Sequence, residues 1–500
     1  MSRNKVVNII NFVRGVEPRG ECDLYTPVVE EIKLIKKYGF ENTFLLQYDA
    51  MMREDLVELL RQEKDEHMEV GVWIEMARCL VERAGISWRS ERGWDWDWFV
   101  NPGFLLAYTK EEKERIIDLI MEKFKSLFGY YPKSAGSWML DSDSVTYMTE
   151  KYGLEAFCIC REQWGTDAYT LWGGYYNGPY YPSRNNILNP AQTPEQQINS
   201  PVIRMLGPDP IYCYFEKRSD YSGIDEHFFT LEPSLPTGHS DKWVNWYFYN
   251  FMENEDMGYN YTHVGQENSF GWENIKKGLP MQLALLNKLV QEDKVHVEKM
   301  CDTGRRFKEQ YDMTPATVYS ALDDWSEYQK QSVWYSCKNY RLNVYTDENG
   351  VWFRDLQKFD ENYRDVYLDH PCECHDAIQD ALPVVDGQRF SDKETRSGMY
   401  FGQGKIEKTW REGELFCVLL TVDNKKIVLE ISEDRIGAVC DKDFTVKFTY
   451  KQGCEQIKNI TKDKVNYEHN GVKYALCMEE GFIKEGCLVS ESGKLSFKLD

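Results

Sequence analysis

Residues 133–174 read KSAGSWMLDSDSVTYMTEKYGLEAFCICREQWGTDAYTLWGG. Ser134 to Leu140 is a small, apolar run that stops at Asp141. The spacing then predicts a short helix. Asp141, Ser142 and Asp143 offer N-cap side chains, Val145 and Met148 form an apolar stripe, and Gly153 suits the left-handed turn that closes a helix. Ala156 to Cys160 follows as a second buried strand, ending in Arg161, Glu162 and Gln163. Strand, helix and strand, each strand closing on polar residues, is the unit of an αβ-repeat fold whose site is built from the loops after the strands.

The same unit recurs on both sides of this stretch. Val6 to Val13 is apolar apart from Asn8 and Asn11, and it runs into Arg14, Glu17 and Arg19. Thr26 and Pro27 start a helix with an apolar face at Val28, Val29, Ile32 and Ile35. Its end, Lys37-Tyr38-Gly39-Phe40-Glu41, returns as Lys151-Tyr152-Gly153-Leu154-Glu155. Thr43 to Gln47 runs into Tyr48 and Asp49, and Val70 to Ile74 carries Trp73 and ends at Glu75. Val202 to Leu206 contains Arg204, Tyr259 to Val264 leads into Gln266, Glu267 and Asn268, and Val295 to Val297 is a short eighth strand. With no G-x-G-x-x-G loop, this pattern predicts an α/β fold: an irregular, TIM-like (β/α) barrel of seven or eight units over residues 1–330. From about Gln331 the alternation has period two, as in Leu415 to Val422 and Lys426 to Ile431. Residues 331–500 therefore read as an antiparallel, β-sandwich-like domain.

Composition narrows the function classes. The 500 residues carry a formal charge of -22, which opposes nucleic acid or an anionic membrane as the main partner. No apolar run approaches the roughly 20 residues of a membrane helix, and MSRNKVVNIINFVRG lacks a signal-peptide cleavage site. Fourteen scattered cysteines suit reduced thiols and a cytoplasmic setting. Aromatic residues reach 14% and concentrate in two excursions, WRSERGWDWDWFVNPGF (residues 88–104) and residues 164–200. Indole and phenol faces at a barrel mouth suit sugar rings as well as they suit a packed lid. Trp94, Trp96 and Trp98 alternate with Asp95 and Asp97, so an extended segment would place three indoles on one face.

Several strand ends, Phe12-Val13-Arg14-Gly15-Val16-Glu17-Pro18-Arg19, Leu45-Leu46-Gln47-Tyr48-Asp49, Tyr169-Thr170-Leu171-Trp172-Gly173-Gly174 and Gly265-Gln266-Glu267-Asn268-Ser269, carry a resemblance. They resemble a bacterial family with an N-terminal barrel and a small C-terminal domain, both of unknown function. More distantly, the architecture is similar to the glycoside hydrolase and polysaccharide deacetylase superfamily of irregular (β/α) barrels. In the glycosidases of that superfamily a carboxylate nucleophile follows strand four and a carboxylic acid follows strand seven. The resemblance places these roles at Asp141 and Glu267. The deacetylases hold a metal with an Asp and an H-x-x-x-H motif, where this chain has Val72-Trp73-Ile74-Glu75-Met76.

The resulting expectation is a glycosidase acting on an intracellular oligosaccharide, with Asp141 and Glu267 catalytic. Arg14, Glu17, Asp49, Trp73, Glu75, Trp138, Arg161, Gln163, Trp172, Arg204 and Gln266 are the substrate-binding candidates. For Asp141 a helix N-cap is an equal alternative, and buried ion pairs compete for Asp49, Glu75, Arg14, Arg161 and Arg204. A divergent deacetylase holding metal through Asp49, Glu75, Asp141 or His263 and a non-catalytic carbohydrate-binding protein are the rival readings. His370-Pro371-Cys372-Glu373-Cys374-His375 has metal-like composition but no C-x-x-C partner, and no metal or cofactor is expected. The partner expected is a carbohydrate, with a homo-oligomer left open.

Overall fold

The structure is a computed structural model that describes residues 4–212, 214, 229–253 and 257–500. The strand-rich first half builds one parallel sheet. Its strands are β1 (Lys5–Val13), β2 (Asn42–Leu46), β3 (Met68–Trp73), β4 (Ser134–Gly136), β5 (Ala156–Ile159), β6 (Val202–Arg204) and β7 (Asn260–Val264). They run in the order β6-β5-β4-β3-β2-β1-β7, and a short β8 (His296–Glu298) pairs with Val6–Asn8 of β1. Helices follow the predicted signals. Thr109 and Glu112 form a complete capping box for Lys110–Phe128, and the repeated Lys-Tyr-Gly phrases each end a helix on a left-handed glycine, Gly39 at φ 67° and Gly153 at φ 68°.

The sheet differs from the expected closed barrel: it is a half-barrel of seven strands whose edges, β6 and β7, share no ladder. The cause lies at the end of β6. Leu206 and Gly207 take φ values of 75° and 53°, which turns the chain away after three paired residues. A side chain bridges the gap instead. His263 of β7 accepts the Leu206 N–H at its Nδ1 (2.8 Å) and donates from Nε2 to the Ile10 carbonyl (3.0 Å). Burial pushes its pKa down to about 4, so the imidazole stays neutral, as one donor and one acceptor require.

The C-terminal half is antiparallel. Sheets of nine and eight strands, the first beginning at Thr317–Ala321, enclose a shared apolar core that includes Val333, Leu342, Phe416 and Leu429. A buried ionic cluster joins this region to the half-barrel, beside apolar contacts such as the Tyr176–Trp334 stack at 4.1 Å. Arg341 sets its Nε and Nη2 on Asp355 (2.8 Å each) and its Nη1 on Glu162 (2.7 Å), while Glu162 also takes Arg204 (3.2 Å). All four side chains are buried. None of the described cysteines forms a disulfide, and among the described residues no helix is long and apolar enough to cross a membrane.

Glu31, on helix Thr26–Tyr38, is fully buried with no hydrogen bond to either carboxylate oxygen. Burial holds its pKa well above the ordinary value. A carboxyl raised in the folded state contributes stability below its unfolded pKa and loses it as pH climbs toward the folded one. Glu31→Leu is therefore expected to gain about 1–3 kcal/mol at neutral pH and less near pH 4.5, by urea denaturation. An equal effect at both pH values, or a loss, would contradict this account.

Candidate active site

A cavity of about 480 Å³ opens at the carboxyl ends of β1, β3, β5 and β7. A larger groove, about 990 Å³, lies beside Tyr328 and Asp423 in the β region, and no half-barrel strand end lines it. The cavity at the strand ends is the candidate, because barrel-type sheets place their chemistry there.

Arg14 is its hub. The Asn268 carboxamide fixes the Arg14 backbone, accepting from its N–H (2.8 Å) and donating to its carbonyl (3.0 Å). One guanidinium nitrogen then reaches Glu75 Oε2 (3.0 Å) and Glu267 Oε2 (3.2 Å), and the group lies 3.8 Å from the centre of the Trp96 ring. Burial alone would lower the Arg14 pKa, but Glu267 and Glu75 outweigh it and raise it. Glu267 also receives the Ser269 hydroxyl. Its backbone position depends on Gly265 at φ 136°, where a Cβ would stand 2.0 Å from the Ile10 carbonyl oxygen. That close approach lets Gln266 donate its N–H to Asn11 Oδ1 (3.0 Å) and accept from Phe12 N–H (3.3 Å), extending β7 alongside β1.

The floor is aromatic. Phe12 and Trp73 stack at 4.1 Å, Trp138 meets Trp73 edge-on at 5.4 Å, and the Trp73 indole donates to Glu75 Oε2 (2.9 Å). Burial raises the Glu75 pKa to about 7 against the opposing pull of Arg14 and Trp73. Glu232 faces the same space, and its Oε1 accepts from the Gln266 amide (2.9 Å). Burial, helped by the charge of Glu267, raises it to about 7 as well. Above the floor, Trp96 donates to the Val16 carbonyl (2.8 Å), and Arg92 sits 4.1 Å from the Trp94 ring and 3.8 Å from that of Trp98. Only Trp96 and Trp98 of the three indoles line the cavity.

The structure thus brings together Arg14, Glu75, Trp138, Arg161, Gln163 and Glu267 and assigns other work to the remaining candidates. Asp141 is a helix N-cap: it accepts the Ser144 N–H (2.9 Å) and hydroxyl (2.8 Å), pairs with Lys113 (3.2 Å), and does not line the cavity. Asp49 accepts the N–H groups of Val16 (3.0 Å) and Ala50 (2.7 Å). Glu17 pairs with Arg19 (2.6 Å), Arg204 belongs to the ionic junction, and Trp172 donates to Asp386 (3.0 Å) in the β region. Trp73 and Gln266 act beneath the site, holding Glu75 and Glu232. Sequence reasoning missed Glu232 and Asp167. Glu232 closes the short apolar run Phe229-Thr230-Leu231, the same signal as the other strand ends, but inside a long insertion.

A deacetylase metal does not fit these residues. Both ring nitrogens of His263 are committed, Asp49 and Asp141 serve as caps, and Arg14 already supplies the positive charge between Glu75 and Glu267. Among the described residues no three His, Cys, Asp or Glu side chains are placed to hold a metal ion. In the His370 to His375 stretch, His375 instead stacks on Phe99 at 4.2 Å.

Comparison with known proteins gives the fold a wider setting. Residues 32–272 match DUF3863, a domain of unknown function with a solved structure. No curated protein matches the chain. Among solved structures, one from Parabacteroides distasonis provisionally described as a glycoside hydrolase/deacetylase aligns with a TM-score of 0.54 at 15% identity, covering 76% of this chain and 91% of its own. A provisionally described polysaccharide deacetylase from Pseudomonas aeruginosa aligns at 0.34 and 13% identity, covering 62% of this chain and 93% of its own. A family-57 glycoside hydrolase branching enzyme from Thermococcus kodakaraensis aligns at 0.33 and 12%, covering 62% of this chain and 72% of its own. The chain is thus similar in fold to the Parabacteroides distasonis structure, and its DUF3863 match runs from within the first helix to just past Glu267.

Proposed function

We propose that the cavity hydrolyses a glycosidic bond, with Glu232 as general acid and Glu267 as the carboxylate acting at the anomeric carbon. Such hydrolysis needs two carboxyl groups in different protonation states flanking one bond. The observation that carries the reading is the contrast between these two side chains in one aromatic-lined space. Glu267 is paired with Arg14, whereas Glu232 takes its hydrogen bond from a neutral amide and has its pKa raised to about 7. Glu75 is the weaker acid candidate because Arg14 engages both its oxygens, at 3.4 and 3.0 Å. In this arrangement Glu75 anchors Arg14, and Arg14 positions Glu267. Trp98 and Trp138, half-buried where they line the cavity, offer apolar surface against which a sugar ring can pack, while Trp96 is covered by Arg14.

The test is hydrolysis of a panel of aryl glycosides and reducing-end-tagged oligosaccharides by the full chain, with and without a chelator. Chelator-resistant cleavage is the expected result. Chelator-sensitive release of acetate would replace it with a deacetylase, and saturable sugar binding without any turnover would make the protein a carbohydrate-binding module.

A further inference from the structure

The segment after β5 does not run on as a loop. Gln163–Thr166 and Tyr169–Trp172 form a hairpin whose two-residue tip is Asp167-Ala168. Both tip residues are left-handed, at φ 52° and 65°. That is the signature of a type I′ turn, which normally selects Asn-Gly because a Cβ at positive φ is costly. The hairpin is also held from outside. Strand Ala377–Asp380 of the β region pairs with Tyr169–Trp172 in parallel, starting at the Ala168 carbonyl, which accepts the Ala377 N–H (3.2 Å). At its base Glu162 accepts the Gly173 N–H (2.7 Å). Asp167, at the tip, lines the cavity while remaining exposed to solvent, and it lies within electrostatic range of Glu267 and Arg161.

A tip that carries an alanine at positive φ and is clamped on two sides delivers one carboxylate to the cavity. We infer that Asp167 is a substrate-positioning residue: its carboxylate accepts hydrogen bonds from adjacent hydroxyls of a neutral sugar ring packed against Trp98 and Trp138. A carboxylate with two free oxygens suits a vicinal diol, since each oxygen can accept one hydroxyl proton. Arg161 lines the same cavity and lies within electrostatic range of Asp167. The β region thereby contributes to recognition by holding the hairpin, although the proposed acid and its partner carboxylate come from the barrel half. This inference rests on the carbohydrate reading above and specifies the substrate class: a ring with neighbouring free hydroxyls rather than one bearing an acidic group.

The test compares wild type with Asp167→Asn and Asp167→Ala in the full chain. The readouts are turnover of the best aryl glycoside and tryptophan-fluorescence titration with the matching free sugar and its singly deoxygenated analogues. Asn tolerates the left-handed tip, so the first variant keeps the hairpin. The expected result is a rise in KM and in sugar Kd of about tenfold with kcat little changed, the signature of lost uniform binding. One deoxy analogue should bind wild type about tenfold more weakly than the parent sugar yet bind the variants as the parent does. Ala168→Gly, which relaxes the tip but keeps the carboxylate, should retain that discrimination. Wild-type cleavage with unchanged KM and Kd in both Asp167 variants would overturn the inference and leave the glycosidase reading standing. A wild type that neither cleaves a glycoside nor binds a sugar would overturn both.

Discussion

Glu267→Gln, which removes the carboxylate proposed to act at the anomeric carbon, is expected to reduce turnover by on the order of 10⁴-fold or more with the fold intact. The change keeps the side-chain volume and the contact with Ser269 but removes the charge opposite Arg14. Glu232→Gln should behave differently. A general acid matters in proportion to how poor the leaving group is, so the loss should be about 10²–10⁴-fold for an oligosaccharide and far smaller for a dinitrophenyl glycoside. The pH profiles separate the roles further. The acid must be protonated, and burial with the nearby Glu267 charge puts Glu232 at about 7. Wild-type activity should fall as pH rises past that value, and Glu232→Gln should lose this alkaline limb. Glu75 has a similar pKa, about 7, but anchors Arg14. Glu75→Gln should therefore keep the limb while weakening overall rate. If Glu75→Gln removes it and Glu232→Gln does not, the two roles must be exchanged.

Much of the half-barrel was legible because its signals are local. Continuous apolar runs ending in charge predicted the strands, and glycine and capping residues predicted the helix ends, to within a few residues. Closure was not legible. It turned on Leu206 and Gly207 leaving the sheet early and on a histidine bridging the seam, and neither leaves a periodic trace. The site was half legible for a related reason. A carboxylate after an apolar strand looks the same whether it caps a helix, as Asp141 does, or faces a cavity, as Glu267 does. Burial and partners separate them, and these are set by distant residues such as Lys113 and Arg14. The hairpin carrying Asp167 stayed hidden because its turn uses Asp-Ala instead of a recognisable turn pair, and its third strand comes from residues 377–380, some 200 positions away.

The ionic junction between the half-barrel and the β region should be the costliest place to remove a single charge. Arg341→Met is expected to destabilise the protein by about 3–5 kcal/mol, because it strands Asp355 and half-strands Glu162 where water cannot reach them. Burial already holds Asp355 at about 6 even with Arg341 lowering it. Without the guanidinium its folded pKa must rise further above the unfolded value. A carboxyl raised in this way withdraws stability as pH increases, so the deficit should be larger at pH 8 than at pH 5. Replacing both partners, Arg341→Met with Asp355→Leu, should recover much of the loss, since a well-packed apolar pair needs no desolvation of charge. Urea unfolding of the three proteins at the two pH values decides the matter. An Arg341→Met midpoint equal to wild type would mean that the pair contributes nothing net. A loss independent of pH would assign the effect to packing around Trp172 and Trp334, whose rings lie 6.0 and 5.4 Å from the guanidinium. The expected pattern also bears on the site. Glu162 also accepts the Gly173 N–H at the base of the Asp167 hairpin, so losing Arg341 should loosen that end of the hairpin, where the proposed sugar site would register it as weaker binding before the chain unfolds.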